Sequence, residues 1–132
     1  MPDRIIQTRK APAAIGPYSQ AIMAGGFLYT SGQLGINPET GTLPPDIMDQ
    51  TKQSLKNIQA ILEEAGLRKN NVIKTVIYLK DLSDFAIVNE IYAAFFGSHK
   101  PARSCVEVSR LPKDGLVEIE AVAQQDGDSE GK

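Results

Sequence analysis

The stretch Val72-Ile73-Lys74-Thr75-Val76-Ile77-Tyr78-Leu79 decides the fold. It is rich in β-branched and apolar residues, which is typical of a β-strand. Its apolar side chains fall on both faces of that strand, and strands with this pattern are buried on both sides of their sheet. We therefore expect each face of the sheet to be covered.

Two helices are predicted, one on each side of this strand in the chain. The first has apolar positions at steps of three and four residues: Ile47, Thr51, Leu55, Ile58, Leu62 and Ala65. Asp46 is its predicted N-cap and Gly66 its predicted stop. The second has an apolar face made of Phe85, Val88, Tyr92, Phe95 and Phe96. Ser83 is its predicted cap, and Gly97 ends it.

Five further strands are predicted, at residues 4–10, 18–24, 27–31, 103–109 and 116–123. The second and third flank Gly25-Gly26, which is typical of a hairpin with a two-residue turn. The order β-β-β-α-β-α-β-β predicts an α+β fold with a mixed sheet and two helices on one face. Because two helices cover only one face, we predict an obligate homo-oligomer that covers the other. Burial of three apolar side chains there would contribute about 1.5–3 kcal/mol each.

Composition narrows the class of protein. The chain has 132 residues, 14 Lys and Arg against 16 Asp and Glu, and a net charge of −2. These values predict one domain over residues 1–123 with a loose polar tail at 124–132. They also disfavour nucleic acid as a partner. No apolar run reaches the roughly 20 residues of a membrane helix, and one cysteine without an apolar leader favours the cytoplasm.

Metal and cofactor chemistry is constrained by a single histidine, His99. One histidine rules out a His-rich metal site within one chain. Because His99 lies in a loop-like segment close to Pro101, we expect it to be solvated surface. We predict no metal ion and no organic cofactor.

The last two predicted strands contain the clearest set of candidate functional residues. Strict alternation would place Arg103, Cys105 and Glu107 on one face of their strand, and Glu118 and Glu120 on one face of the next. We expect all five side chains on the face that a neighbouring subunit covers. There they either form a cross-strand Arg–Glu pair, or an arginine binds a carboxylate while a glutamate handles protons.

The other candidates are individually weaker. Tyr18 follows a Gly-Pro turn, and Gly32 either lets a ligand approach the backbone next to Ser31 or serves only the turn. Asn89 lies at the rim of the apolar face of the second helix. Cys105 has no histidine nearby in the sequence, so a half-buried thiol is favoured over a nucleophile.

Several motifs then occur in the order typical of one family. They are Gly16-Pro17-Tyr18-Ser19-Gln20-Ala21, Ser31-Gly32-Gln33, Asn57 with Ala65-Gly66, Asp81 through Phe85 with Asn89 and Tyr92, Pro101-Ala102-Arg103-Ser104, Leu111-Pro112-Lys113 and Val117-Glu118-Ile119-Glu120-Ala121. Together, over residues 4–123, they resemble the RidA (YjgF/YER057c/UK114) family. The resemblance implies a chorismate-mutase-like α+β fold and a homotrimer with ligand clefts between subunits.

The resemblance also implies an enzyme, a 2-iminobutanoate/2-iminopropanoate deaminase. Such an enzyme hydrolyses the 2-imino acids released by pyridoxal-phosphate-dependent dehydratases to 2-keto acids and ammonia. Arg103 matches the arginine that grips the substrate carboxylate, and Glu118 matches the glutamate proposed to hold the attacking water. The remaining cleft positions match Tyr18, Ser31, Gly32, Asn89 and Cys105. Glu120 is interpreted as structural.

Two other functions stay open at this point. One is a regulatory trimer that binds a small carboxylate without turnover, for which Arg103 would suffice. The other is the translation-inhibiting ribonuclease activity attributed to some members of the family. The net charge of −2 gives RNA binding little support.

Overall fold

The computed structural model describes residues 3–127, which fold into one mixed sheet of seven strands with two α-helices. The strands are β1 (Arg4–Ile6), β2 (Ala21–Ala24), β3 (Phe27–Thr30), β4 (Gln33–Leu34), β5 (Val72–Leu79), β6 (Ala102–Glu107) and β7 (Val117–Gln124). The helices are α1 (Ile47–Glu64) and α2 (Phe85–Phe96). The predicted α+β fold, with its mixed sheet and two helices, is confirmed.

The sheet has the order β1-β2-β3-β7-β5-β6, and β4 pairs with β7 beyond the end of β3. Only β5 and β6 run parallel, since α2 connects them as a crossover. The hairpin at Gly25-Gly26 is confirmed, with Ala24 paired to Phe27. Strand β4 was not predicted, because two residues are too short to show alternation.

One hydrophobic core lies between the helices and a single face of the sheet. From β5 and β7 it receives Val72, Ile77, Leu79, Val117, Ile119, Ala121 and Ala123; from the helices it receives Leu55, Ile58, Ile61, Leu62, Val88, Tyr92 and Phe96. The alternate residues of β5 and β7 point to the opposite face, which neither α1 nor α2 covers. We call this second surface the open face.

The start of the second helix and the start of the tail differ from the predictions. Ser83 does not cap α2: it lies in a 3₁₀ turn, where Asp81 accepts hydrogen bonds from the Ser83 backbone N–H and hydroxyl, and α2 begins after Asp84 without a side-chain cap. The tail predicted from residue 124 starts later, because Gln124 belongs to β7 and Gln125 N donates to the Gly26 carbonyl. Residues 128–132 lie outside the described part of the chain.

Within residues 3–127, neither helix is both long and apolar enough to cross a membrane.

Helix α1 combines its apolar stripe with buried polar side chains that anchor β4. Ser54 Oγ donates to the Gln33 carbonyl (2.6 Å), and Asn57 Nδ2 donates to the carbonyls of Leu34 (3.1 Å) and Ile36 (3.0 Å). These bonds hold the loop after β3 against the helix, because buried backbone oxygens need a donor.

Asn57→Ala is expected to lower the free energy of unfolding by about 1–3 kcal/mol, since it removes the buried amide donor to two carbonyls. Urea denaturation at one fixed protein concentration measures the change. Lys56→Ala, at the neighbouring exposed position of the same helix, is the control and should cost less than about 0.5 kcal/mol. Equal losses in the two variants would contradict the anchoring role of Asn57.

Candidate functional site

Arg103 is held in a fixed orientation by side chains of α2. Its Nη1 donates to Asn89 Oδ1 (2.7 Å), and its Cζ lies 4.9 Å from the ring centroid of Tyr92 and 5.5 Å from that of Phe85. The Tyr92 hydroxyl shares a 2.6 Å hydrogen bond with Thr75 of β5. Stacking on aromatic faces and an amide hydrogen bond orient the guanidinium.

Within residues 3–127, no carboxylate forms an ion pair with this guanidinium. Neither of the ion pairs found within residues 3–127 involves Arg103. The cross-strand Arg–Glu pair is therefore absent from this part of the chain. An oriented guanidinium without an anionic partner is suited to bind a planar carboxylate with two parallel hydrogen bonds.

Cys105 lies two residues farther along β6 and is half-buried. Burial raises the pKa of the Cys105 thiol, and the charge of Arg103 offsets this only in part. Because the thiolate is the nucleophilic form, the raised pKa supports the interpretation as a half-buried thiol.

A second group of predicted residues surrounds Glu118 on β7. A Cβ atom at Gly32 would lie 2.7 Å from Glu118 Cδ, so glycine is required for the carboxylate to pack there. Next to it, Ser31 Oγ donates to the Ser19 carbonyl (2.6 Å), which ties this turn to the segment that carries the exposed Tyr18.

Glu118 is half-buried and lies beside a second carboxylate. Burial raises the pKa of the Glu118 carboxyl above its ordinary value, and the charge of Glu120 raises it further. Glu120 Oε1 in turn accepts a 3.0 Å hydrogen bond from the Tyr78 hydroxyl. A carboxylate with a raised pKa is a stronger base than an exposed one and is suited to accept a proton from a bound water.

The prediction that these charged residues share one face of the sheet is wrong. Arg103 pairs with Thr75, which faces the helices, whereas Glu118 pairs with Tyr78, which faces the open side. Paired residues of neighbouring strands share a face. Arg103, Cys105 and Glu107 therefore lie on the helix side, and Glu118 and Glu120 lie on the open face.

The reason for the error is the position of β6 at the edge of the sheet. Its register is set by its parallel pairing with β5, in which Ile77 lies opposite Cys105. The thiol consequently packs toward the core, and Val106 is left 44% exposed on the open face. Alternation identified the two faces of β6 but assigned them the wrong way round.

The predicted site residues thus form two separate groups. We call Arg103, Asn89 and Cys105 the arginine half-site, and Tyr18, Ser31, Gly32 and Glu118 the glutamate half-site. Sequence reasoning missed Tyr92 and Phe85 as supports of Arg103, although with Asn89 they have the helical spacing that places all three beside one another.

Two other expectations bear on metal chemistry. His99 is not solvated surface: it is half-buried, and its Nε2 lies 2.6 Å from the Val72 carbonyl oxygen. That distance requires an Nε2–H donor, so the ring is used in a structural hydrogen bond. Among the described residues, no group of three His, Cys, Asp or Glu side chains is arranged to hold a metal ion.

Comparison with known proteins matches this chain to members of one family. The profile of the family described as Endoribonuclease L-PSP matches residues 8–125. The chain is 54% identical to the 2-iminobutanoate/2-iminopropanoate deaminase of Escherichia coli K12, over 91% of this chain and 96% of that protein. It is 59% identical to a RutC family protein of Pyrococcus horikoshii, over 92% of this chain and 98% of that one.

Solved structures of similar proteins have the same fold as this chain. The crystal structure of the E. coli YjgF gene product superposes with a TM-score of 0.90 at 52% identity, covering 93% of this chain and 99% of that chain. E. coli TdcF with bound serine superposes with a TM-score of 0.90 at 48% identity and the same coverage.

The fold and site define a small α+β protein of the YjgF type. The chain belongs to the Endoribonuclease L-PSP family, and the predicted RidA/YjgF membership is confirmed.

Glu118→Gln is expected to stabilise the fold at high pH. Because the folded pKa of Glu118 is raised, its carboxyl favours the folded state fully below its ordinary pKa, and this contribution is lost as pH rises through the raised value. The melting temperature of Glu118→Gln should therefore equal that of the wild type below the ordinary carboxyl pKa, exceed it as the pH rises through the raised pKa, and stay higher by a constant amount above that.

Thermal unfolding across this pH range, at one protein concentration, measures the difference. Glu90→Gln on α2, at an exposed position, is the matched control. A difference between Glu118→Gln and wild type that does not change with pH, or one that Glu90→Gln reproduces, would contradict the raised pKa of Glu118.

Proposed function

We propose that the protein is an enzyme that hydrolyses 2-imino acids, such as 2-iminobutanoate and 2-iminopropanoate, to 2-keto acids and ammonia. The observation that carries the proposal is the Arg103 guanidinium, which Asn89 and Tyr92 orient and which no carboxylate neutralises within residues 3–127. Its planar fork matches the carboxylate that every 2-imino acid carries. The names of several relatives at 52–54% identity support the same reaction.

In this reaction Glu118 acts on a water molecule. The water oxygen forms a bond to the carbon of the protonated imine, the carbon–nitrogen π pair moves to the nitrogen, and the Glu118 carboxylate accepts one proton from the water. Glu118 then gives this proton to the nitrogen of the tetrahedral intermediate. The carbon–nitrogen bond breaks, its electron pair leaves with ammonia, and the hydroxyl proton passes to Glu118 as the carbonyl forms. Positioned proton transfer of this kind contributes about 10²–10⁴-fold. Because a protonated imine is already electrophilic, the step requires no metal ion and no organic cofactor.

A complete site requires two copies of the chain. The arginine half-site lies on the helix side of edge strand β6, and the glutamate half-site lies on the open face of β7. One small acid cannot contact both faces of the same sheet. We therefore propose that the helix-side edge of one copy meets the open face of the next, with the acid bound between them.

The open face has the surface that such an assembly would cover. Ile5, Ile22 and Tyr29 pair across β1, β2 and β3 and are 64%, 37% and 49% exposed. Contiguous exposed apolar residues of this kind mark interaction surfaces. Because the contact joins two different surfaces, it is heterologous, and a heterologous contact forms either a closed ring or an open filament. We propose a homotrimer, the state that the family resemblance implies, located in the cytoplasm.

Substitution of the two principal residues should separate binding from chemistry. Arg103→Ala is expected to weaken binding of 2-oxobutanoate about 10- to 100-fold and to abolish measurable turnover, since charge-assisted hydrogen bonds are lost. Glu118→Gln should retain 2-oxobutanoate binding and lose about 10²–10⁴-fold in kcat. Coupling to a threonine dehydratase and following imine disappearance measures turnover, and calorimetry measures binding.

Arg110→Ala, an exposed arginine of the loop before β7, is the control for loss of charge. Imine hydrolysis by Glu118→Gln at the wild-type rate would contradict its role as the base. No acceleration by the wild-type protein, together with intact binding of 2-oxobutanoate, would instead favour a protein that binds small carboxylates without turnover.

Mixing the two inactive variants tests whether the site is shared. In a ring of randomly mixed Arg103→Ala and Glu118→Gln chains, about a quarter of the interfaces pair an intact Arg103 with an intact Glu118. Co-refolded mixtures should therefore recover about a quarter of wild-type turnover, whereas each variant alone stays inactive. A mixture that remains inactive, although light scattering shows that it has assembled, would contradict the shared site.

A further inference from the structure

A cleft of about 380 Å³ extends from Arg103 along the C-terminal half of α2. Arg103 and Lys100 both line it, and its other polar lining residues include Asn89 and His99. No acidic residue from the described part of the chain lines this cleft. Neither cation belongs to an ion pair within residues 3–127. The cleft is therefore a positively charged surface on a chain whose net charge is −2.

The floor of the cleft is apolar and rigid. Tyr92 and Phe96 are both buried, their ring centroids lie 4.8 Å apart, and the Tyr92 hydroxyl is bonded to Thr75. His99 forms part of the wall, and its Nε2–H is used by the Val72 carbonyl. The hydrocarbon part of a ligand in this cleft would pack against the rings of Tyr92 and Phe96. Arg103 and Lys100 would supply two separate cations for its charged groups.

This arrangement matches an acid with two carboxylates joined by a short hydrocarbon chain. Residues 100 and 103 are three positions apart in the chain, so their Cα atoms are at most roughly 11 Å apart. The Lys100 side chain has a flexible four-carbon stem, so its ammonium can adjust to the ligand. A ligand that Arg103 holds by its first carboxylate would need only a few more carbons than 2-oxobutanoate to reach Lys100.

We propose that Lys100 is a specificity-determining residue that binds the distal carboxylate of dicarboxylic 2-imino and 2-keto acids, of which 2-iminoglutarate is the type. The inference rests on the proposed function, because it uses Arg103 as the anchor of the first carboxylate. Monocarboxylic substrates remain compatible with the site, since an exposed ammonium without a ligand stays hydrated at no cost.

Steady-state hydrolysis by wild type and Lys100→Gln tests the inference, with 2-iminoglutarate and 2-iminobutanoate generated in situ. Loss of a charge-assisted hydrogen bond should raise the KM for 2-iminoglutarate, relative to that for 2-iminobutanoate, about ten-fold. Lys52→Gln, an exposed lysine of α1, is the matched control and should leave that ratio unchanged. Calorimetric binding of 2-oxoglutarate and 2-oxobutanoate gives a readout that does not depend on turnover.

The outcomes separate the two proposals. Wild-type hydrolysis of 2-iminobutanoate with an unchanged KM ratio in Lys100→Gln would overturn the inference and leave the proposed function standing. Failure to hydrolyse either imine would overturn the proposed function. In that case, selective weakening of 2-oxoglutarate binding by Lys100→Gln would still support the dicarboxylate cleft, and equal binding by both proteins would overturn it.

Discussion

Strand β5 controls the orientation of every charged group in the candidate site. It lies between β6 and β7, and its residues alternate between the packed helices and the open face. Arg103 is paired with Thr75 and therefore faces the helices, whereas Glu118 is paired with Tyr78 and therefore lies on the open face. A register shift of one residue in either pairing would exchange these faces. In β7 the buried Val117, Ile119 and Ala121 oppose such a shift, because it would move them out of the core.

This constraint explains why the two half-sites differ in their physics. Arg103 is exposed and oriented: its charge stays hydrated, while Asn89, Tyr92 and Phe85 restrict its side chain. The entropy of ordering the guanidinium is therefore lost on folding and not on binding, which favours affinity. Glu118 is partly desolvated instead, and its proton affinity is raised by burial and by Glu120.

Assembly and chemistry are coupled under the proposed arrangement. A neighbouring copy that covers Ile5, Ile22 and Tyr29 would also remove water from around Glu118, which lies on the same face. Further desolvation disfavours the carboxylate form. Oligomer formation would thus tune the group that exchanges protons, and the same apolar contact would bring Arg103 of the next copy within reach.

The sequence by itself determined both helices with their apolar stripes, every described strand except β4, and the motifs that identify the family. Each depends on local periodicity or short-range chemistry, which a sequence records directly. It also selected Arg103 and Glu118 as the principal residues. The hydrogen bond of His99 to Val72 and the aromatic support of Arg103 could not be predicted, because each joins residues that come together only on folding.

Only the tertiary structure decided which face of the sheet Arg103 and Glu107 of β6 occupy. Alternation along β6 defines two faces but carries no information about which one meets the helices. That choice depends on the pairing of Ile77 with Cys105, which belongs to the neighbouring strand and not to β6 itself. The separation of Arg103 from Glu118, on which the proposed sharing of the site between two copies rests, follows from this long-range register.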